Sequence, residues 1–191
     1  MLKNLPRITL LLVFALSFSF QSQAGLLIEP VVGYSFGKAT SELEVPSDTT
    51  QNDTAKESAK GTSYGGRLGY QNFGFQLGVD YLASNMKIDG DAFKTSEFGG
   101  FVGYEFPVLI RVYAGYIFSG TGTLTSDDDD FEFKSGTGPK VGVGLTLLPF
   151  LDFNIEYRSI TYEEKEFEGG AALFNVDYNA IMVGFSLPFV L

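Results

Sequence analysis

The chain has 191 residues, of which 13 are basic and 23 acidic, and it contains no histidine, cysteine or tryptophan. A net charge of −10 excludes the basic footprint that nucleic acid requires. Without cysteine there is no disulfide to staple the fold, and without histidine no Ser–His catalytic pair.

The first 24 residues read as a leader rather than as part of the fold. MLKNLPR is a basic start, ITLLLVFALSFSF an apolar run too short for a spanning helix, and QSQA a small-residue site with cleavage after Ala24. This signal peptide (1–24) carries Lys3 and Arg7, so residues 25–191, one domain, hold 11 basic against 23 acidic residues, a net −12.

No segment of that domain predicts a helix of useful length. Eight segments instead alternate with period two, which means extended strands: 26–38, 61–71, 73–84, 94–106, 109–119, 136–147, 151–162 and 176–189. In the first, Ile28, Val32, Tyr34 and Phe36 oppose Glu29, Gly33, Ser35 and Gly37. The second sets Tyr64, Leu68 and Tyr70 against Gly65, Arg67, Gly69 and Gln71. The third sets Phe75, Leu77, Val79 and Tyr81 against Gln76, Gly78 and Asp80. In the fourth, Phe98, Val102, Tyr104 and Phe106 oppose Glu97, Gly99, Gly103 and Glu105. The fifth sets Ile110, Val112, Ala114, Tyr116 and Phe118 against Arg111, Tyr113 and Gly115. The sixth sets Val141, Val143, Leu145 and Leu147 against Lys140, Gly142, Gly144 and Thr146. In the seventh, LDFNIEYR, Leu151, Phe153, Ile155 and Tyr157 alternate with Asp152, Asn154, Glu156 and Arg158. The eighth sets Ile181, Val183, Phe185, Leu187 and Phe189 against Met182, Gly184 and Ser186, with Asp177 breaking parity at its loop end.

Tight connections (71–74, 106–109 and 148–151) alternate strictly with long polar ones (39–60, 85–93, 120–135 and 163–175). An up-and-down meander with its short turns at one end has that pattern. Alternation does not say which face points inward, but glycine does. Twelve strand glycines, at 33, 37, 65, 69, 74, 78, 99, 103, 115, 142, 144 and 184, share the polar face, and only those at 66 and 100 lie on the apolar one. Glycine weakens a strand and a watery surface has no need of it, whereas the interior of an eight-stranded barrel barely has room for side chains. The apolar face is also too large and aromatic for so narrow a cylinder. The expected fold is therefore all-β: an eight-stranded antiparallel up-and-down transmembrane β-barrel, with lipid on the apolar face and aromatic girdles near the strand ends. Six acids (Glu29, Asp80, Glu97, Glu105, Asp152, Glu156) and four bases (Arg67, Arg111, Lys140, Arg158) then share the lumen and must largely neutralise one another. Glu105 and Arg111, symmetric about Val108, are expected to face each other across a hairpin and to pair.

With strand count, loop pattern and lumenal charges in place, the chain resembles the small eight-stranded outer-membrane barrels of Gram-negative bacteria, the OmpA/OmpX type. The resemblance implies a protein of the cell outer membrane, exported through its leader, in contact with outer-membrane lipids and lipopolysaccharide. It implies that the barrel-assembly machinery reads the end of the chain, where Gly184, Leu187 and Phe189 in MVGFSLPFVL fit the usual glycine, large apolar and aromatic pattern. Met182 in a normally polar place and Val190–Leu191 after the aromatic depart from it. The short turns and both ends would face the periplasm, and the long loops the outside.

Chemistry is sparse. Asp152 and Glu156 have the residue types for acid–base work, but Lys140 and Arg158 close by favour a structural ion network. The acidic run SDDDDFEF (126–133) lacks EF-hand spacing and reads as a solvated loop. Gly142–Val143–Gly144 precedes no helix and is no phosphate loop. The expectations are a monomer with no cofactor, no enzymatic activity and a structural or surface-interaction role in adhesion or envelope integrity, with loops 39–60, 85–93, 120–135 and 163–175 open to a surface ligand. The alternatives are a narrow pore or lateral transporter of small solutes and, behind both, a lipid-modifying enzyme.

Overall fold

Alternating β-branched and aromatic residues fold as strands, and among the described residues no helix forms. The computed structural model describes residues 24–42, 54–88, 90–126, 129–162, 164–166 and 176–191, so the expected leader lies outside the described residues but for Ala24. The strands are β1 (Gly25–Glu42), β2 (Thr54–Asn72), β3 (Phe75–Ile88), β4 (Asp91–Glu105), β5 (Ile110–Ser126) and β6 (Asp129–Lys134). They continue as β7 (Gly138–Leu148), β8 (Leu151–Tyr162), β9 (Glu164–Glu166), β10 (Val176–Ser186) and β11 (Phe189–Val190). All pairings are antiparallel, and β1 pairs both β2 and β10, which closes the sheet. β6 runs on into β7, β8 into β9 and β10 into β11, so the closed wall has eight staves. Closure removes the exposed strand edge that would otherwise invite aggregation.

Turn chemistry sets the ends. Phe73 and Gly74 both take positive φ, 48° and 81°, which makes the two-residue hairpin between β2 and β3 the type whose twist matches its strands. Leu109, at φ 64°, does similar work between β4 and β5. Phe118 is an extra residue on β5: Ser119 faces Phe98 and Ile117 faces Gly99, so inward parity moves by one residue above this bulge.

The apolar face points outward. Leu77 is 64 % exposed and Val102 57 %, whereas Glu29 and Asn154 are at 0 %. Val143, Ile155, Val183 and Tyr34 are direct cross-strand neighbours in one outward row over β7, β8, β10 and β1. Outward aromatics close the band above, at Phe36, Tyr64, Tyr81, Phe98, Phe118 and Tyr157, and below, at Tyr70, Phe73, Phe75, Phe106, Phe150 and Phe189.

Two expectations need correction. Segments 85–93 and 120–135, expected as loops, are mostly ladder: β3 and β4 pair up to Ile88↔Asp91, and β5 pairs β6 up to Ser126↔Asp129. The 39–60 connection likewise shortens, since β1 and β2 pair up to Glu42↔Thr54. These stretches are rich in Ser, Thr and Lys and so resemble loops, yet Thr suits strands and a hairpin standing in water needs no apolar outer face. Second, Asp177 is no isolated exception, because polarity inverts above the upper aromatics. There Lys60, Asn85, Lys87, Lys94, Asp177 and Asn179 lie outside. Inside, Ala59, Met86, Ile88, Phe93, Ile117, Ile160, Tyr162, Val176, Tyr178 and Ala180 form one buried apolar cluster. The barrel is thus membrane-like below and water-soluble-like above.

Candidate functional site

Inward parity brings side chains from opposite walls to the barrel axis, and they fill it in tiers. At the end with the short turns, Gln76 donates to Gln71 (2.9 Å) and Gln71 donates to Glu105 (3.4 Å), beside an open recess of about 170 Å³. Above it sits Glu29, whose carboxylate takes both terminal nitrogens of Arg111 (2.8 and 2.6 Å) and one of Arg67 (3.0 Å). Arg111 also donates to Asn154 at 2.8 Å, with Asp152 at 3.4 Å. Arg67 reaches Glu156 at 2.9 Å and the Tyr113 hydroxyl at 2.7 Å, and that hydroxyl in turn donates to Glu156 at 2.9 Å. The Arg67 guanidinium lies over the Tyr113 ring, 4.2 Å from its centroid, adding a cation–π contact to the ion pairs.

Arg158 extends the network upward. Its guanidinium donates to Glu97 (2.8 Å) and Ser35 (3.1 Å) and stands 3.4 Å from Glu156. Ser35, Ser63 and Ser84 continue as a hydroxyl chain at 2.6 and 2.8 Å across β1, β2 and β3. Lys140 grips both carboxylate oxygens of Asp80, a pair that ties β7 to β3 apart from the main network. A gap of about 20 Å³ beside Asp80, Lys140 and Arg158 has room for about one water. The apolar cluster caps the tiers, with Tyr178 donating to the Met86 sulfur.

The expected Glu105–Arg111 ion pair is not what forms. The register is as derived, Glu105 opposite Arg111, but the guanidinium reaches across the lumen to Glu29, Asn154 and Asp152, while Glu105 takes the Gln71 amide. A bidentate, fully buried partner holds a guanidinium better than a half-buried one at the rim. Of the expected lumenal residues, Glu29, Arg67, Glu97, Arg111, Asp152, Glu156 and Arg158 come together in one network. Sequence reasoning missed the serine chain and the apolar cap. The cap was announced by Tyr162, Val176 and Tyr178 alternating with Thr161, Asp177 and Asn179.

At the other expected positions, Gly184 lies opposite Gly33, while Leu187 and Phe189 are on the outer surface and Phe189 pairs with Ile28. The acidic run falls partly outside the described residues, its remainder forming β6. Among the described residues no cluster of carboxylates has the makings of a metal site. Glu29, Glu97 and Glu156 are already engaged by guanidinium or hydroxyl donors, and Asp152 lies 3.4 Å from Arg111, an arrangement suited to holding charge still.

Tyr113 depends on its cross-strand partner Gly142, against whose Cα the ring lies so closely that an added Cβ would collide with it. Alanine for glycine in a strand ordinarily gains about 0.5–1 kcal/mol. Gly142→Ala is expected instead to destabilise by about 1–3 kcal/mol, because Tyr113 must leave Arg67 and Glu156. Denaturant unfolding in micelles reads the sign directly.

The model of the outer membrane protein beta-barrel domain matches residues 8–189. No curated protein sequence matches the chain. Among solved structures, the fold is similar to Neisserial surface protein A (NspA), at 20% identity over 88% of this chain and 100% of that one, TM-score 0.54. OprG from Pseudomonas aeruginosa is similar at 15% identity over 90% and 99%, TM-score 0.51. Ail, the attachment invasion locus protein of Yersinia pestis, follows at 10% identity over 86% and 100%, TM-score 0.50.

Proposed function

The chain belongs to the outer-membrane protein β-barrel family and resides in the Gram-negative outer membrane, and on that premise we propose that it is a sealed, monomeric barrel with a structural or surface-interaction role. The observation that carries this reading is the filled lumen. A charge network around Glu29 and Arg67 is followed by an apolar cap around Phe93 and Tyr178, and the gap beside Asp80 and Lys140 holds about 20 Å³. A hydrated ion passing the first tier would have to break ion pairs, and passing the second would have to shed its water. The function then lies at the rim, where the connections 39–60, 85–93, 120–135 and 163–175 would present a strongly acidic surface to a partner outside the cell. Gly184, Leu187 and Phe189 serve in this reading as the signal to the barrel-assembly machinery. The engaged carboxylates and the absence of histidine favour a non-enzymatic protein.

The test is electrical. Purified barrel in planar bilayers is expected to give no steady unitary current at neutral pH. Stable, reproducible steps would favour the narrow-pore alternative and remove the sealed-barrel reading.

A further inference from the structure

We propose that the recess at the short-turn end of the barrel binds a short linear diamine, one ammonium on Asp152 and the other on Glu105. Charge points there first. Below the apolar cap the described residues place six carboxylates and four cations in the lumen, an excess of two negative charges. Glu29, Asp80, Glu97 and Glu156 take the four cations. The two carboxylates beyond these are Asp152 and Glu105, and both line the recess of about 170 Å³. Neither the short turns (71–74, 106–109 and 148–151) nor residues 187–191 contain lysine or arginine, so no basic side chain of these segments offsets them. An amino group created at Gly25 by cleavage after Ala24 would lie opposite Gln71 and offset one of the two charges at most.

Asp152 is poised for such a ligand. It is 2 % exposed, its Oδ2 stands 3.4 Å from Arg111, and its Oδ1 has no hydrogen-bond partner. The Thr146 hydroxyl, directly across the ladder and also on the recess wall, has none either. Turning that hydroxyl toward Asp152 would give the carboxylate a donor but no added positive charge, and a buried charge needs a counter-charge as well as hydrogen bonds. An ammonium brings both, with three donors.

Spacing selects two charges on one ligand. Glu105 is on β4 and Asp152 on β8, with β5 and β7 between them. Their backbones therefore stand three strand spacings apart, roughly 14 Å along the wall. A single metal ion needs several oxygen ligands at about 2.0–2.6 Å, whereas this recess offers two carboxylates from distant strands. A cation with two ends reaches both. Leu148 and Val190 on the same wall give the methylenes between the ends apolar contact. The recess is reached from the end of the barrel, so its occupancy does not depend on whether the lumen is sealed.

The probe is putrescine, titrated calorimetrically into the purified folded barrel in phosphocholine micelles, in an amine-free neutral buffer of low ionic strength. One putrescine per barrel is expected, bound roughly tenfold or more tighter than n-butylamine, which keeps the stem and one charge. Butanediol and calcium chloride should not bind. Asp152→Asn is expected to weaken putrescine roughly ten- to hundredfold, the range for a hydrogen bond to a charged group. Glu105→Gln should bring putrescine down to the affinity of n-butylamine. Heat-modifiable migration verifies folding, and Glu105→Gln alone serves if Asp152→Asn does not fold. An amine borne by a lipid headgroup has the same chemistry, so the titration is repeated in phosphatidylcholine nanodiscs with and without phosphatidylethanolamine. Equal affinity in both assigns the site to a free amine. Loss of putrescine binding with phosphatidylethanolamine present would assign it to the lipid and overturn a soluble ligand. Putrescine no tighter than n-butylamine, calcium bound as tightly as putrescine, or affinity unchanged in either variant would overturn the site.

Discussion

Glu29→Gln is expected to lower the unfolding free energy of the barrel by about 3–5 kcal/mol, the cost of leaving a buried charge without its partner. The substitution keeps the side chain's shape and removes its charge. Glu29 is fully buried and accepts from Arg67 and twice from Arg111, so two guanidiniums lose their principal anion at once. Glu156 and Asp152 are then the carboxylates left to the two arginines, at 2.9 and 3.4 Å, beside the neutral acceptors Tyr113 and Asn154. Adding Arg111→Met should recover part of the loss, since one stranded cation is removed with a side chain of fitting length. Urea unfolding in micelles, run as a double-variant cycle, measures both effects. A deficit within the roughly 0–1 kcal/mol of exposed ion pairs would mean that water enters the tier and that the network is not dry.

The second large effect lies on the other face. Val143→Arg is expected to cost about 2–4 kcal/mol if the position is near the bilayer midplane, falling toward 0–1 kcal/mol near an interface. Val143 is outward, 51 % exposed, and flanked across the ladder by Ile155, which is followed by Val183. Four outward positions lie between the ends of its strand and the tight turn, Pro139, Val141, Leu145 and Leu147, two on each side. An arginine there has the longest way to reach water. The same change at Thr121, above the aromatic band, should cost little. Equal small costs at both positions would remove lipid from the outer face.

Most of this architecture is legible in the sequence because period two and glycine placement act locally. Tyr34, Leu77, Val143 and Ile155 could be set outside, and Glu29, Arg67 and Arg158 inside, from their neighbours alone. Register at the β4–β5 turn was equally local, and Glu105 does face Arg111. The choice of partner was not. Arg111 bonds to Glu29, 82 residues away, because a guanidinium on a long stem spans a narrow lumen and selects the most buried carboxylate within reach. Sequence parity says that a side chain points inward and is silent on what meets it there. The apolar cap was hidden differently. No single polarity rule holds along a strand, because it reverses where the outside changes from lipid to water, as Tyr178 and Asp177 show side by side. The bulge at Phe118, which shifts parity by one, has no signature in the residue types around it.

The lower barrel has lipid outside and the upper barrel water, and a quenching scan tests that division most directly. The chain has no cysteine, so a single introduced cysteine carries each fluorescent label. With barrel reconstituted in bilayers, labels at positions 143, 155 and 183 are expected to be quenched by lipid-borne quenchers and untouched by iodide. Labels at positions 85, 121 and 159 should show the reverse. Iodide reaching 143, 155 and 183 while lipid-borne quenchers do not would put water, not lipid, outside the lower barrel.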